Sequence, residues 1–167
     1  MNWSSKVIKK RTVASVFSAG GLVFASSGSG GGGNELVAVR PKADGGKTAE
    51  KAYSINKGAN YVPTAIAVGD LIFLCGDKGI LTCADLKTGE IHFQERLARG
   101  FSSSPVSDGK TIYATDQQGT VFIFEAANRY KPLGKVSLGE PSSATPAIAG
   151  GRFVLRTDSH LMSIEGK

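Results

Sequence analysis

At 167 residues, with 41% hydrophobic and 20% charged residues, the chain has the composition of one ordinary globular domain, or of part of a larger one, and not of a disordered polymer. No stretch approaches the roughly 18 consecutive apolar residues that span a bilayer as a helix. The formal charge of +6 is less of a nucleic-acid signal than it looks: Lys6, Lys9, Lys10 and Arg11 precede the first acidic residue, Glu35, and the remainder carries 16 basic against 14 acidic residues, thinly spread.

Residues 1–12 read as a basic N-terminal segment. "KVIKKR" followed by "TVASVFSAGGLVFA" has the shape of a secretory leader, with Val23 and Ala25 as the small residues before a cut. Ser15, Ser18, Gly20 and Gly21 interrupt its apolar run, however, and the same residues fit a pair of strands, which is the reading favoured by the repeat described below.

Next comes a glycine-rich stretch in which Gly28, Gly30 and Gly33 satisfy the G-x-G-x-x-G spacing of a dinucleotide-binding turn. Such a turn must open a helix whose first amides meet the pyrophosphate. Here the glycines lead instead into "LVAV", a strand pattern, and the phosphate cradle is rejected. Phe24 to Leu36 spans 12 residues where the matching interval Phe73 to Leu81 spans 8, so the glycines read as a four-residue extension of a hairpin loop. That extension is expected to be mobile unless a partner or a neighbouring unit orders it. The one helical window, "GKTAEKAYSINKG", has apolar residues too sparse for a stripe.

The two cysteines, Cys75 and Cys83, flank "GDKG". A two-residue turn centred on Asp77 and Lys78 would set Cys75 opposite Ile80 and Cys83 opposite Ile72, with the sulfurs on opposite faces of the sheet. A disulfide would then be barred, and two buried free thiols are expected. His92 and His160 lie far from both cysteines in sequence, so no zinc spacing exists.

The chain repeats itself. Phe73, Tyr113 and Phe153 are 40 residues apart, and so are Leu81, Val121 and Leu161. Between them "LIFLCGDKGILTCADL", "TIYATDQQGTVFIFEA" and "RFVLRTDSHLMSIEG" each read as apolar run, polar turn, apolar run. Ahead of each hairpin stand "TAIAVGD", "SPVSDGK" and "TPAIAGGR"; "EIHFQERL" and "KPLGKVSL" supply a fourth run behind two of them. Four short strands in about 40 residues is the period of a propeller blade. The fold class is therefore all-β, a β-propeller of four-stranded antiparallel blades, with units at approximately 13–57, 61–98, 102–139 and 143–167. "LIFLC" and "VFIFE" are apolar at consecutive positions, so both faces must be buried, and their turns are too short for parallel crossovers.

"GILTCADLKTGEIHFQERL" resembles the pyrroloquinoline-quinone-like (PQQ-like) β-propeller repeat, G-x-L-x-A-L-D-A-x-T-G-x-x-x-W, through Gly79, Leu81, Cys83, Asp85, Thr88 and Gly89. Phe93 stands where that family has a docking tryptophan. Ser104, Pro105, Asp108, Gly109, Tyr113 and Gly119 match the next repeat's opening, and the likeness covers roughly residues 13 to 166. Two features depart from the family. The sole tryptophan, Trp3, falls outside the repeats, and the adjacent cysteine pair and calcium set of the quinoprotein dehydrogenases are not recognisable, so no cofactor and no metal are expected. The resemblance implies seven or eight blades where this sequence supplies three to four. A partial propeller is the favoured reading, with a closed four-bladed ring as its alternative.

No catalytic residue is assigned. His92 sits between the apolar residues Ile91 and Phe93, and His160 follows a turn. Asp44, Asp70, Asp77, Asp85, Asp108, Asp116 and Asp158 fall at turns, where Asp bonds its own backbone. "SSS" at 102–104 and "SS" at 142–143 stand at equivalent points of the repeat, with no base indicated to activate a serine. The resemblance therefore implies a non-catalytic binding scaffold, similar to the propeller lipoproteins that assist outer-membrane β-barrel assembly. It would use a protein partner or small ligand through its blade loops, periplasmic or extracellular, with the cytoplasm as alternative, and could self-associate through unpaired blade edges. The competing expectation is a partial or degenerate quinoprotein-type oxidoreductase with its active site on other blades.

Overall fold

The computed structural model describes residues 3–29, 31–42 and 47–165; Gly30 of the glycine spacing and Asp44 lie outside the described residues. Four antiparallel sheets follow one another along the chain. The first contains β1 (Phe17–Ala19), β2 (Leu22–Ser27), β3 (Glu35–Pro41) and β4 (Ala49–Ile55), the last lying in the window whose apolar residues are too sparse for a helical stripe. The second contains β5 (Ile66–Val68), β6 (Leu71–Cys75), β7 (Ile80–Asp85) and β8 (Ile91–Arg96), and the third β9 (Val106–Ser107), β10 (Thr111–Thr115), β11 (Thr120–Glu125) and β12 (Pro132–Ser137). The fourth has three strands among the described residues, β13 (Ala147–Ala149), β14 (Arg152–Arg156) and β15 (Leu161–Glu165). Within each sheet the strands lie side by side in chain order, as in a propeller blade.

The expected two-sided burial explains how the sheets associate. Leu22, Phe24, Leu36 and Ala38 of the first blade pack on Ile72, Leu74 and Ala84 of the second. The opposite face of the second blade, with Phe73, Cys75, Leu81 and Cys83, packs on Ile112, Ala114 and Phe124 of the third. At roughly 1.5–3 kcal/mol for each fully buried large apolar side chain, these two seams dominate the fold. The other face of the first blade is not bare: Trp3 and Val7 lie against Val37, Val39 and Ala49. The tryptophan missing from the repeats thus covers a blade face from the N-terminal segment.

Near the innermost strands a second, polar connection links the blades. The Ser15 amide donates to Thr64 Oγ1 at 2.9 Å, the Thr64 amide to Ser104 Oγ at 2.8 Å and the Ser104 amide to Thr145 Oγ1 at 3.0 Å. In each of the last three blades one hydroxyl residue, just before the first strand, accepts from the preceding blade.

Two details of register correct the sequence reading. Cys75 pairs with Leu81 and Cys83 with Phe73, so both cysteines point to the same face, toward the third blade, and not to opposite faces. The hairpin is not a two-residue turn. Gly79 N donates to Gly76 O and Gly76 N to Ile80 O, a type I turn followed by Gly79 at φ +78°, which adds a bulge residue. Asp116 to Thr120 repeats this geometry with Gly119 at the same φ.

Phe153 is also not the equivalent of Phe73 and Tyr113. Val68 pairs with Leu71 and Ala149 with Arg152 at matching turns, so Phe153 occupies the place of Ile72 and Ile112 and faces backward, its ring 5.0 Å from that of Tyr113. The phase slips because the β11–β12 connection closes from Glu125 to Lys131 where its counterpart closes from Asp85 to Glu90. A shorter hairpin in the last blade, Thr157 to His160, restores it, so that Leu81, Val121 and Leu161 do correspond.

Gly79 carries a direct test of the repeat geometry. A Cβ there would lie 1.9 Å from the Ala98 carbonyl oxygen, in a left-handed conformation. Gly79→Ala is expected to destabilise the protein by about 2 kcal/mol or more in urea denaturation, since left-handed strain alone costs about 1–2 kcal/mol.

Candidate functional site

The second-to-third strand hairpins of all four blades gather at one end of the sheets, beside the connections that enter each blade. Backbone bonds tie three of these hairpins to their connections, Gly28 N to Arg11 O, Gln117 N to Gly100 O and Asp158 N to Pro141 O, and the Asp77 carboxylate ties the fourth by accepting the Tyr61 and Val62 amides. This face is therefore an ordered surface of loops, and it contains the glycine-rich stretch.

That stretch forms the loop between Ser27 and Glu35, which are paired as the last residues of the β2–β3 ladder, and it opens a strand as expected. A neighbouring blade orders it. Asn34 Nδ2 donates to Ala59 O at 3.4 Å and to Asp77 Oδ2 at 3.3 Å, while Lys10 Nζ donates to Gly33 O at 2.8 Å. Asp77 in turn accepts the amides of Tyr61 at 2.7 Å and Val62 at 3.0 Å. Asp77 thus binds the incoming connection and not its own turn, a role its position had not revealed. Between these loops lies a polar recess of about 180 Å³ lined by Gly32, Asn34, Asn56, Asp77 and Lys78.

On the last blade the same face holds a serine, a histidine and a carboxylate in contact. Ser159 Oγ lies 2.7 Å from Glu140 Oε1 and 2.9 Å from His160 Nδ1, and that nitrogen lies 2.9 Å from Glu140 Oε1. All three meet at one ring nitrogen, whereas a nucleophilic serine and its orienting carboxylate occupy opposite nitrogens of the imidazole. Glu140 also accepts from Thr157 Oγ1 and the Ser159 amide. The group acts as a clamp on a hairpin loop that lacks the bulge glycine of its neighbours. These donors, Ser159 Oγ foremost, hold the Glu140 carboxyl at about 2, well below the usual carboxylate range.

The remaining residues singled out by sequence are dispersed. His92 is exposed on β8. Ser103 Oγ and Ser142 Oγ each donate, at 2.6 Å, to the carbonyl ending the second strand of their blades, Thr115 and Arg156. Asp85, Asp108 and Asp116 cap their own turns; Thr88 and Lys87 amides on Asp85, and Thr111 and Lys110 amides on Asp108, hold those carboxyls low. The D-x-x-T-G stretch thereby acquires a packing role: Gly89 leaves room for the Tyr53 ring of the preceding blade, whose hydroxyl donates to Leu86 O at 2.7 Å. Cys75 and Cys83 are free and buried, and burial pushes both thiols up to about 12, far from the reactive thiolate. Among the described residues no three His, Cys, Asp or Glu side chains converge as a metal site, and no helix is long and apolar enough to cross a membrane.

No family model matches the chain. Over 104 residues it is 27% identical to the outer membrane protein assembly factor BamB of Burkholderia pseudomallei (strain K96243), covering 62% of this chain and 27% of that protein. The crystal structure of BamB from Moraxella catarrhalis superposes with a TM-score of 0.77 at 16% identity, over 98% of this chain and 49% of that one. A europium-containing methanol dehydrogenase gives 0.63 at 12% identity, over 76% of this chain and 25% of its own. The chain spans about a quarter of the curated relative and about half of the solved BamB. Its fold is that of the blades of a BamB-like β-propeller.

The clamp on the last hairpin has a pH signature. Its carboxylate has a lowered folded pKa, so its contribution is complete above the unfolded value of 4.5 and fades as pH falls toward 2. Thermal denaturation across that range should show Glu140→Gln less stable than the parent at pH 6 and equal to it near pH 2, whereas an equal gap at both would refute the clamp.

Proposed function

We propose that the chain is a non-catalytic propeller scaffold that binds protein partners through its hairpin-loop face and serves outer-membrane protein assembly in the periplasm. The observation carrying this reading is the sequence likeness to BamB over 104 residues, together with the shared fold. The loop face suits such a role because its loops are fixed by cross-blade bonds, so that docking costs little ordering entropy. Its chemistry is polar and glycine-rich, and the clustered basic surface that nucleic acid demands is confined to the short N-terminal segment. Membership of the PQQ-like repeat family belongs to the same proposal, as does the division into a basic segment 1–12 and blades from 13 onward.

The test is functional replacement. In Gram-negative cells lacking their own assembly factor of this kind, the secreted chain should raise the level of folded outer-membrane β-barrel proteins, and a variant with Asp77→Ala and Asn34→Ala in the loop face should do so less well. No effect of either would refute the scaffold reading. The quinoprotein alternative is separated by heating the protein with pyrroloquinoline quinone and Ca²⁺. The scaffold predicts an unchanged melting temperature, while a rise of several degrees would favour the enzyme.

A further inference from the structure

On the loop face, the seam between the second and third blades is built differently from the seam between the first and second. In the first seam Gln94, paired with Thr82 across β7 and β8, donates through Nε2 to Thr82 Oγ1 and to the Lys57 carbonyl, both at 2.9 Å. Thr82 Oγ1 in turn donates to Gly58 O at 3.2 Å. The second blade is thereby laced to the connection that leaves the first. The matching pair on β11 and β12 is Phe122 with Lys135. Phe122 offers no acceptor, and among the described residues Lys135 does not bond the connection that leaves β8, so no such lacing closes the second seam.

A groove of about 620 Å³ opens there between two four-stranded blades, lined by Arg96, Leu97, Arg99, Phe122, Lys135 and Ser137. Its walls are held in place. The amides of Leu97 and Ala98 donate to Gly79 O at 3.0 and 3.2 Å, Leu138 N donates to Gly119 O at 2.8 Å, and the Phe122 ring stands edge-on to Phe101 at 6.3 Å. Arg96, Arg99 and Lys135 are exposed, and among the described residues none of them has a carboxylate within ion-pair distance. Arg96 Nη1 donates to the Lys78 carbonyl at 2.8 Å. The acid in the lining, Asp116, is 4% exposed, and its Oδ1 accepts the amides of Gln118 and Thr120. Outward, past the shared residues Leu97 and Phe122, the groove runs into a cleft of about 440 Å³ beside Tyr130 and Pro132, with Glu95 on its wall.

We infer that this groove docks an acidic segment of a partner protein, an extended stretch whose carboxylates meet Arg96, Arg99 and Lys135 and whose neighbouring apolar side chain enters the cleft over Leu97 and Phe122. Charge complementarity selects the occupant. Three cations lining one groove without a counter-charge attract carboxylates, and the two guanidinium groups are shaped to take them bidentately. The apolar floor favours a peptide over a free inorganic anion, and three cations fall short of the row of phosphate contacts that nucleic acid requires. Glu95 repels a further acid from the outward cleft and leaves it to the apolar side chain. This occupant rests on the proposed scaffold role and deepens it, narrowing the loop face to one seam and one chemistry.

The probe is a fluorescein-labelled peptide of consecutive aspartates followed by leucine and phenylalanine, flanked by glycine and serine. Anisotropy should show saturable binding to the intact protein that weakens by about tenfold or more in Arg99→Glu and in Lys135→Glu, and falls as salt is raised. Both side chains are exposed and unpaired among the described residues, so these variants fold, as an unchanged melting temperature would verify. Lys110→Glu, exposed on the β9–β10 turn at the opposite end of the third blade, changes the net charge equally and should leave binding unchanged. A peptide with asparagine for the aspartates should not bind, and one with glycine for leucine and phenylalanine should bind several-fold less. Absence of binding at millimolar peptide, equal binding by the Arg99→Glu protein, or the same loss in Lys110→Glu would overturn the inference. So would displacement by inorganic phosphate with the glycine-substituted peptide binding as well as the parent, which would make the groove a small-anion site. The two readings fail separately: a chain that raises folded β-barrel levels in the replacement assay but binds no acidic peptide refutes the groove alone, and binding without replacement refutes the assembly role alone.

Discussion

A strand that is apolar on both faces needs a neighbour on each side, and this structure follows from that requirement. Strands β6 and β7 meet it fully: Ile72 and Leu74 point to the preceding blade, Phe73 and Cys75 to the following one, and all four are buried. No two-layer sandwich satisfies such a strand, because one of its faces would be wet. Stacked blades do, and the solution propagates: each blade added creates a new face that must itself be covered. The first blade covers its own with Trp3 and Val7. On the last blade Leu161 is left 78% exposed on the outward face.

Much of this architecture was legible in the residues. Period, strand pairs, hairpins and the double-sided burial of the central strands all follow from the spacing of apolar runs. The glycine stretch was distinguishable from a phosphate cradle because a strand and not a helix follows it. What escaped was phase. Adding one residue to the β11–β12 connection and removing one from the following hairpin leaves Leu161 in register with Leu81 but turns Phe153 to the opposite face from Phe73. A single-residue shift flips every side chain of a strand. The bulge at Gly79 misled the reading of the cysteines in the same way.

The loop-face contacts escaped for a different reason. Asp77 and Glu140 are ordinary turn acids in sequence, and their partners lie 15 to 20 residues away on another element. Nothing in local spacing announces such bonds. The hydroxyl residues Thr64, Ser104 and Thr145 were recognisable as recurring repeat letters; only the structure shows that each accepts an amide from the blade before it. Likewise Gly134 is an ordinary strand glycine in sequence, and only the pairing of Ile123 with Gly134, set beside those of Ala38 with Tyr53 and Cys83 with Phe93, shows that the third blade has glycine where the first two have an aromatic ring.

Native-state hydrogen exchange tests the account most directly, because it reads burial on both faces strand by strand. Amides of β6 and β7, whose blade is packed against a neighbour on each face, should exchange slowest, and those of β13 to β15, whose blade has a neighbour on one face only among the described residues, should exchange fastest among the paired strands. Equal protection in the first three blades and the fourth, or greatest protection in β14, would contradict the claim that two-sided burial between blades sets the stability of this fold.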